Sequence, residues 1–187
     1  MPLLDILIHP DQRLRQIAEP VTIFDNRLKT ITDDMFATMY EAHGIGLAAT
    51  QVNIHRRIVV MDVPEKREEE DKSGDTPPET PVPHTRLILI NPEVISHSAE
   101  TAVWQEGCLS LPGQFADVKR PKTIRYAYYD LGGARCEAEA EGLLGVCIQH
   151  EIDHLNGVLF IDHLSRLKRE RIEKKLAKSQ THKEQDT

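Results

Sequence analysis

The segment HEIDH at residues 150–154 has the residue types and the spacing of a catalytic metal site. In an α-helix, residues i and i+4 lie one above the other on the same face, so His150 and His154 can bind one ion. Neutral imidazoles suit zinc or ferrous iron, and Glu151 would lie beside that ion, where a carboxylate can accept a proton from an attacking water. These three residues predict a metal-dependent hydrolase.

A catalytic site of this kind needs a third protein ligand. The third histidine of metzincin proteases is missing, because Phe160 stands six residues after His154. The glutamate of gluzincin proteases would correspond to Glu173, although its segment KRERIEKKL is more simply a solvated helical face with i,i+4 ion pairs. A zinc endopeptidase using Glu173 is the alternative enzyme, and a metal-stabilised structural module is the alternative outside catalysis.

Cysteine is the better third ligand, and the chain has three. Cys136 lies in a polar strand and has no evident partner. Cys147 shares the helical face of His150, but its apolar neighbours are typical of a buried structural cysteine. Cys108 lies in EGCLSLPG, where glycine and proline indicate a turn or bulge that could hold a thiolate. From these patterns alone, Cys108 and Cys147 are equally good candidates.

Length and composition predict a single catalytic domain over residues 1–187, since a chain of this size can bury its own core. The formal net charge of −7 argues against general binding to DNA or to an anionic membrane. Three cysteines form no disulfide framework, which favours a reducing compartment. No apolar stretch is long enough to cross a bilayer, and the N-terminus resembles no targeting peptide. We therefore expect a soluble, cytoplasmic protein.

Hydrophobic periodicity predicts the elements that position these residues. Apolar side chains recur at helical spacing after Asp25, a plausible N-cap, and the helix should stop at Gly44. RIVVMDV and RLILI should form short buried strands on either side of an acidic, proline-rich surface insertion at about residues 64–85. Alternation in TIRYAYYD and the turn LGGAR predict a hairpin.

Helical patterns return in the last third of the chain. The segment from Gly142 should form the HExxH helix and end at Asn156 and Gly157. A charged helix should follow at about residues 165–178, with a disordered tail at 179–187. The predicted fold class is α+β: antiparallel β-strands packed around a central HExxH helix, with an N-terminal and a C-terminal helix.

Three segments together resemble the peptide deformylases: GIGLAATQV at 44–52, EGCLS at 106–110 and HEIDH at 150–154. The resemblance extends from about Leu4 to Lys178. It implies that the enzyme hydrolyses the N-formyl group of the initiator methionine of nascent polypeptides and releases formate. It also implies that Cys108 joins the two histidines as a metal ligand. The expected cofactor is one divalent ion. Fe2+ is the favoured ion, and Zn2+, Ni2+ and Co2+ are the alternatives.

The resemblance further assigns roles around that ion. Glu151 would be the general base, while the side-chain amide of Gln51 and the backbone N–H of Leu109 would stabilise the negative charge on the formyl oxygen. A methionine pocket is expected next to the motif segments, from Ile45, Gly46, Leu143, Val146 and Cys147. Many bacterial relatives carry a basic residue shortly after CLS, whereas this chain reads Gly113, Gln114, Phe115, so we assign no arginine anchor. Trp104 is a further candidate for shaping the substrate groove.

The predicted C-terminal helix suggests a binding surface. Residues 166–178 contain seven basic and two acidic side chains, a local excess of positive charge in an acidic protein. Such a helix is either a solvated face or a site that docks to ribosomal RNA with salt-dependent affinity. We expect no membrane partner, no DNA partner and a monomeric enzyme that acts on N-formyl-Met nascent peptides.

Overall fold

A computed structural model describes residues 2–65 and 83–185. The helices are α1 (Asn26–Glu41), α2 (Gly142–Leu155) and α3 (Arg166–Gln185). The strands are β1 (Gly46–Ala48), β2 (Ile58–Pro64), β3 (His84–His97), β4 (Thr101–Cys108), β5 (Leu111–Pro121), β6 (Thr123–Tyr129) and β7 (Arg135–Glu141). Three short 3-10 helices lie at Gln12–Arg15, Ala49–Val52 and Phe160–His163.

All paired strands of the two sheets run antiparallel. The larger sheet has the order β1-β2-β3-β6-β7, and β4 pairs with β5 in a separate two-stranded sheet. Helix α2 packs on the larger sheet, where Ile148 and Leu155 are fully buried against Val59, Met61 and Leu89. The predicted α+β fold with a central HExxH helix is confirmed.

Helix α1 begins as the sequence predicts, because the Asp25 side chain accepts hydrogen bonds from the N–H groups of Arg27 and Leu28. Its apolar face buries Met35 and Met39 against the other side of the sheet. The predicted stop is displaced slightly. The helix ends at Glu41, and the left-handed residue that turns the chain is His43, with φ of 56°, rather than Gly44.

Strand β3 has 14 residues and is not the short strand that RLILI predicts. It is long because it bends at register shifts after Ile90 and Val94 and continues along β6. Its pairing with β2 extends to Pro64 opposite His84, so the ends of the predicted insertion at 64–85 belong to the sheet. The rest of that insertion, residues 66–82, lies outside the described residues.

Helix α3 is longer than predicted. It continues to Gln185, so residues 179–185, which we expected to be a disordered tail, are helical, and that segment contains no glycine or proline to end the helix. Ile172 and Leu176 hold the helix to the protein through a third apolar cluster with Leu111 and Phe160. No helix in the described part of the chain is long and apolar enough to cross a membrane.

Candidate active site

Two distant segments bring the predicted metal ligands together. His150 and His154 project from one face of α2, with ring centroids 4.9 Å apart. Cys108 ends β4, where a register shift follows Gly107 in the pairing with β5 and directs the thiol toward the helix. Sγ of Cys108 lies 3.2 Å from Nε2 of His154, and the donor atoms of the three residues all lie within 4.8 Å of one another.

The donor set fits a divalent transition metal. One thiol and two imidazoles converge in the described part of the chain as the only such group of three, and this combination suits zinc or ferrous iron. Burial lowers the pKa of His154 well below its ordinary value, which keeps the imidazole neutral as a ligand must be. An ion held by these three residues would keep a coordination position for water or substrate, as catalytic sites do and structural sites do not.

Glu106 fixes the tautomer of His150. Its carboxylate lies 2.8 Å from Nδ1 of His150 and receives two further hydrogen bonds from Arg120, at 2.5 and 2.9 Å. Burial raises the pKa of Glu106, but the hydrogen bonds from His150 and Arg120 outweigh it and bring the pKa to about 2. The ionised carboxylate can only accept, so Nδ1 carries the proton and Nε2 remains free to bind a metal.

Arg120 links the hairpin to the catalytic helix. This side chain is 4% exposed, and it also donates to Asp153 of α2 at 2.8 Å. Asp153 in turn lies 2.8 Å from Nε2 of His163. The sequence patterns do not predict this network. Glu106 stands inside the EGCLS motif and could have been noticed there, whereas no local pattern connects Arg120 to a helix thirty residues later.

Glu151 lies on α2 beside the ligands and is almost wholly buried. Burial raises its pKa to about 7, and its Oε2 has no hydrogen-bond partner among the described residues. A carboxylate with a pKa near neutral can both accept and return a proton. The space for it depends on Gly46, where a Cβ atom would lie 2.5 Å from Oε1 of Glu151 and 2.8 Å from Sγ of Cys147.

Gln51 presents its amide to the same centre. The side chain belongs to the 3-10 helix Ala49–Val52, and its Oε1 accepts a hydrogen bond from the backbone N–H of Ala48 at 2.9 Å. Its Nε2 donates to Oγ of Ser110 at 3.1 Å and lies 3.5 Å from Sγ of Cys108. The amide is therefore held at both ends, with its Nε2–H group directed at Ser110 and at the sulfur of Cys108.

One cavity of about 600 Å³ contains the remaining predicted residues. All five expected pocket residues line it: Ile45, Gly46, Leu143, Val146 and Cys147. Gln51, Leu109 and Glu151 line it as well, together with Cys108 and His150. A Cβ at Gly44 would meet the side chain of Leu109 at 2.8 Å, so this glycine lets Leu109 approach the first loop. Trp104 is not among the residues that line the cavity.

The rival ligands lie elsewhere. Cys147 contacts Gly46 and the carbonyl of Ile45 on the cavity wall, and it is not part of the group that could hold a metal ion. Of the two cysteines, Cys108 is therefore the better candidate for the third ligand. Cys136 lies on β7, and its thiol donates to the carbonyl of Ala134 at 3.7 Å. Glu173 accepts a hydrogen bond from Arg169 at 3.0 Å in the i,i+4 arrangement, which removes the ligand that the endopeptidase reading requires.

An HExxH helix completed by a thiolate, with a buried carboxylate at an apolar cavity, defines the class as a mononuclear metallohydrolase. Comparison with known proteins specifies the family. Residues 3–170 match the family model described as polypeptide deformylase. Among curated relatives, the peptide deformylase of Pseudomonas aeruginosa is 51% identical over 185 residues, which are 99% of each chain. That of Methylocella silvestris is 50% identical over 179 residues, 96% of this chain and 86% of the relative.

Solved structures agree with the sequence comparison. The peptide deformylase of Ehrlichia chaffeensis, in complex with actinonin, superimposes with a TM-score of 0.84 at 40% identity, over 96% of this chain and 98% of the other. The chain belongs to the polypeptide deformylase family, whose members are metalloenzymes that remove the formyl group from N-formylmethionine peptides.

Proposed function

We propose that this chain deformylates the initiator methionine of nascent polypeptides with Cys108, His150 and His154 as its metal ligands and Glu151 as its general base. The observation that carries the assignment is the convergence of a thiol, two imidazoles and a buried carboxylate on one apolar cavity. Membership of the family supports the reaction, and the geometry supports the roles that we give to these residues.

Glu151 moves the proton in this mechanism. Cys108, His150 and His154 would hold the divalent ion, which would supply Lewis-acid activation of a water molecule and of the formyl carbonyl. Glu151 accepts the proton of the attacking water and returns it to the amine that leaves, and a pKa of about 7 suits both transfers near neutral pH. Its buried position excludes bulk water, which would otherwise compete for that proton.

Gln51 and Leu109 stabilise the charge that develops on the formyl oxygen. The side-chain amide of Gln51 is held in place by Ala48 and Ser110, which limits the reorientation that its Nε2–H group needs when the charge appears. Leu109 follows Cys108 in the hairpin turn and lines the cavity, which supports a role for its backbone N–H as the second donor. Removing one such donor costs about 3–4 kcal/mol of transition-state stabilisation in well-studied hydrolases.

The methionine side chain enters the apolar part of the cavity. Leu143, Val146 and Cys147 form one wall from α2, and Ile45 and Gly46 form another at the start of β1. Burial and the negative charge of Glu151 raise the pKa of Cys147 well above its ordinary value, so this thiol stays neutral and is compatible with an apolar ligand. An unbranched thioether suits such a slot.

Formate release from formyl-Met-Ala-Ser tests the proposal directly. The protein should be purified without oxygen and loaded with iron, and formate should be measured as product. We expect turnover by the wild type, a loss of about 10²–10⁴-fold for Glu151→Gln with the metal retained, and loss of the metal itself for Cys108→Ser. No formate from folded, iron-loaded protein would refute the assignment, and internal cleavage of a longer peptide would revive the endopeptidase.

We further propose that the ion is Fe2+ and that the enzyme works as a monomer in the cytoplasm. Imidazole and thiolate accept zinc and iron alike, so metal analysis of protein isolated under argon must distinguish Fe2+ from Zn2+, Ni2+ and Co2+. All three cysteines are free, as a reducing compartment requires. Light scattering of the purified enzyme tests the monomer, and a mass twice that of one chain would contradict it.

We also propose that α3 docks the enzyme to the ribosome. Ile172 and Leu176 face the core, and the rest of the helix surface exposes five cations: Lys168, Arg171, Lys174, Lys175 and Lys178. Removing α3 would expose apolar core, so substitution is the cleaner test. Lys174→Glu with Lys175→Glu and Lys178→Glu should abolish low-salt co-sedimentation with ribosomes while formate release from a tripeptide is unchanged. Unchanged co-sedimentation would exclude this surface.

A further inference from the structure

A phenylalanine lies at the mouth of the cavity, shortly after the CLS segment. Phe115 of β5 is 63% exposed, yet it lines the cavity together with Gln105 and Gly107 of β4. An aromatic ring left largely in water beside a substrate cavity has free surface that a bound peptide can cover.

Gly107 sets the position of this ring. The two residues pair directly across the β4–β5 ladder, and a Cβ at Gly107 would lie 2.5 Å from Cε1 and 2.7 Å from Cδ1 of Phe115. The ring therefore lies close against the glycine, immediately before the proposed ligand Cys108. It extends the apolar wall outward from the metal ligands along the surface of the hairpin.

We propose that Phe115 is a specificity-determining residue that contacts the peptide beyond its formyl-methionine and makes the enzyme prefer an apolar side chain there. This inference rests on the proposed deformylase function. The methionine occupies the buried part of the cavity, so the residues that follow it must leave through the mouth. Gln105, which lines the cavity beside Phe115, is neutral, and its cross-strand partner Asp117 is acidic, so the hairpin side of the exit offers apolar surface and disfavours an acidic side chain.

The hairpin itself provides a matched control. Val103 lies on the same exposed face of β4, four residues before Gly107, and is also 63% exposed, but it does not line the cavity. Val103→Ala removes apolar surface from that face without touching the exit. Phe115→Leu keeps an apolar side chain at the exit, and Phe115→Ala removes it.

The experiment measures kcat/KM for formate release by the iron-loaded enzymes from formyl-Met-Ala-Ser, formyl-Met-Leu-Ser, formyl-Met-Ala-Leu and formyl-Met-Glu-Ser. The wild type should prefer at least one of the two leucine peptides over formyl-Met-Ala-Ser by about three- to tenfold. This preference is smaller than that of an enclosed pocket, because the ring covers only one side of the peptide. The enzyme should use formyl-Met-Glu-Ser least. Phe115→Ala should remove the preference for leucine mainly through KM, Phe115→Leu should retain most of it, and Val103→Ala should leave it unchanged.

The outcomes separate the two claims. A wild type that releases formate from the alanine peptide but shows no preference for leucine overturns the role of Phe115 and leaves the deformylase function intact. The same holds if Phe115→Ala slows all four peptides equally, because a merely structural change would not distinguish them. Absence of formate from every peptide overturns the proposed function itself.

Discussion

Oε2 of Glu106 lies 2.8 Å from Nδ1 of His150, and this one contact joins the two motifs that sequence analysis found separately. Glu106 comes from EGCLS and His150 from HEIDH, so the carboxylate orients a ligand that the distant helix supplies. Arg120 holds the other side of the same carboxylate, with both side chains at most 5% exposed. The ligand geometry therefore depends on a buried ion pair that binds no metal.

Glu106→Gln should weaken both the metal site and the fold. The amide no longer neutralises Arg120, and loss of one partner from a buried pair costs about 3–5 kcal/mol. Loss of an outer partner of a ligating histidine lowers metal affinity by about 10–100-fold. Urea unfolding of the metal-free protein and competition with a chelator measure the two effects.

Glu100→Gln is the matched control for that variant. Glu100 pairs with Lys122 at 3.1 Å, but both side chains are at least half exposed, and such pairs contribute less than about 1 kcal/mol. If Glu106→Gln bound metal as tightly as Glu100→Gln, the orienting role of Glu106 would be wrong.

Gly46→Ala should lower activity because its new Cβ would overlap Oε1 of Glu151. The buried helix cannot retreat freely, so the carboxylate must rotate away from the reacting water. We expect a loss of about tenfold to a hundredfold in kcat/KM, as misplacement by about 1 Å produces in other enzymes. Gly132→Ala, in the β6–β7 turn, adds the same methyl group away from the cavity and should remain active. Equal activity of the two variants would contradict the close approach.

Gln51→Leu should lower kcat by about 10²–10³-fold while the iron content stays constant, because the variant lacks one donor to the developing oxyanion. The leucine side chain has a similar size, so the 3-10 helix should persist. Steady-state kinetics and metal analysis of the same sample give both numbers. A variant that mainly raises KM would show that Gln51 binds the ground state and the transition state equally.

Asp162 should make the free energy of unfolding fall as the pH is lowered through the acidic range. Burial raises the pKa of Asp162, but hydrogen bonds from Arg15 and from the Leu159 N–H, with the charge of Arg169, bring it below its ordinary value of 3.8. A depressed carboxyl pKa stabilises the fold above pH 3.8, and this contribution is lost as the pH falls through the lowered pKa.

Asp162→Asn should therefore cost about 1–3 kcal/mol at neutral pH, with a smaller difference from wild type at pH 3. Urea unfolding of the metal-free proteins at pH 7 and pH 3 measures both gaps. Asp117→Asn, at an exposed position of β5, serves as the control. A gap that stays constant between the two pH values would show that the ion pairs of Asp162 do not control acid stability.

Local patterns were sufficient wherever the deciding contacts are local. The i,i+4 spacing of His150 and His154 needs only a helix, and the Asp25 cap and the turn before β7 depend on residues a few positions apart. The three motifs together were specific enough to identify the family. They also marked Glu151, Gln51 and Cys108, because these residues stand inside the motifs.

Only the tertiary structure decided which groups meet across the chain. The choice of Cys108 over Cys147 by geometry depends on a register shift in the β4–β5 hairpin, because one residue of shift turns a side chain to the other face of a sheet. The Arg120–Glu106–His150 network crosses two elements and has no period that a sequence could display. Burial, which raises the pKa of Glu151 to about 7, likewise results from the packing of α2 against strands from the whole chain.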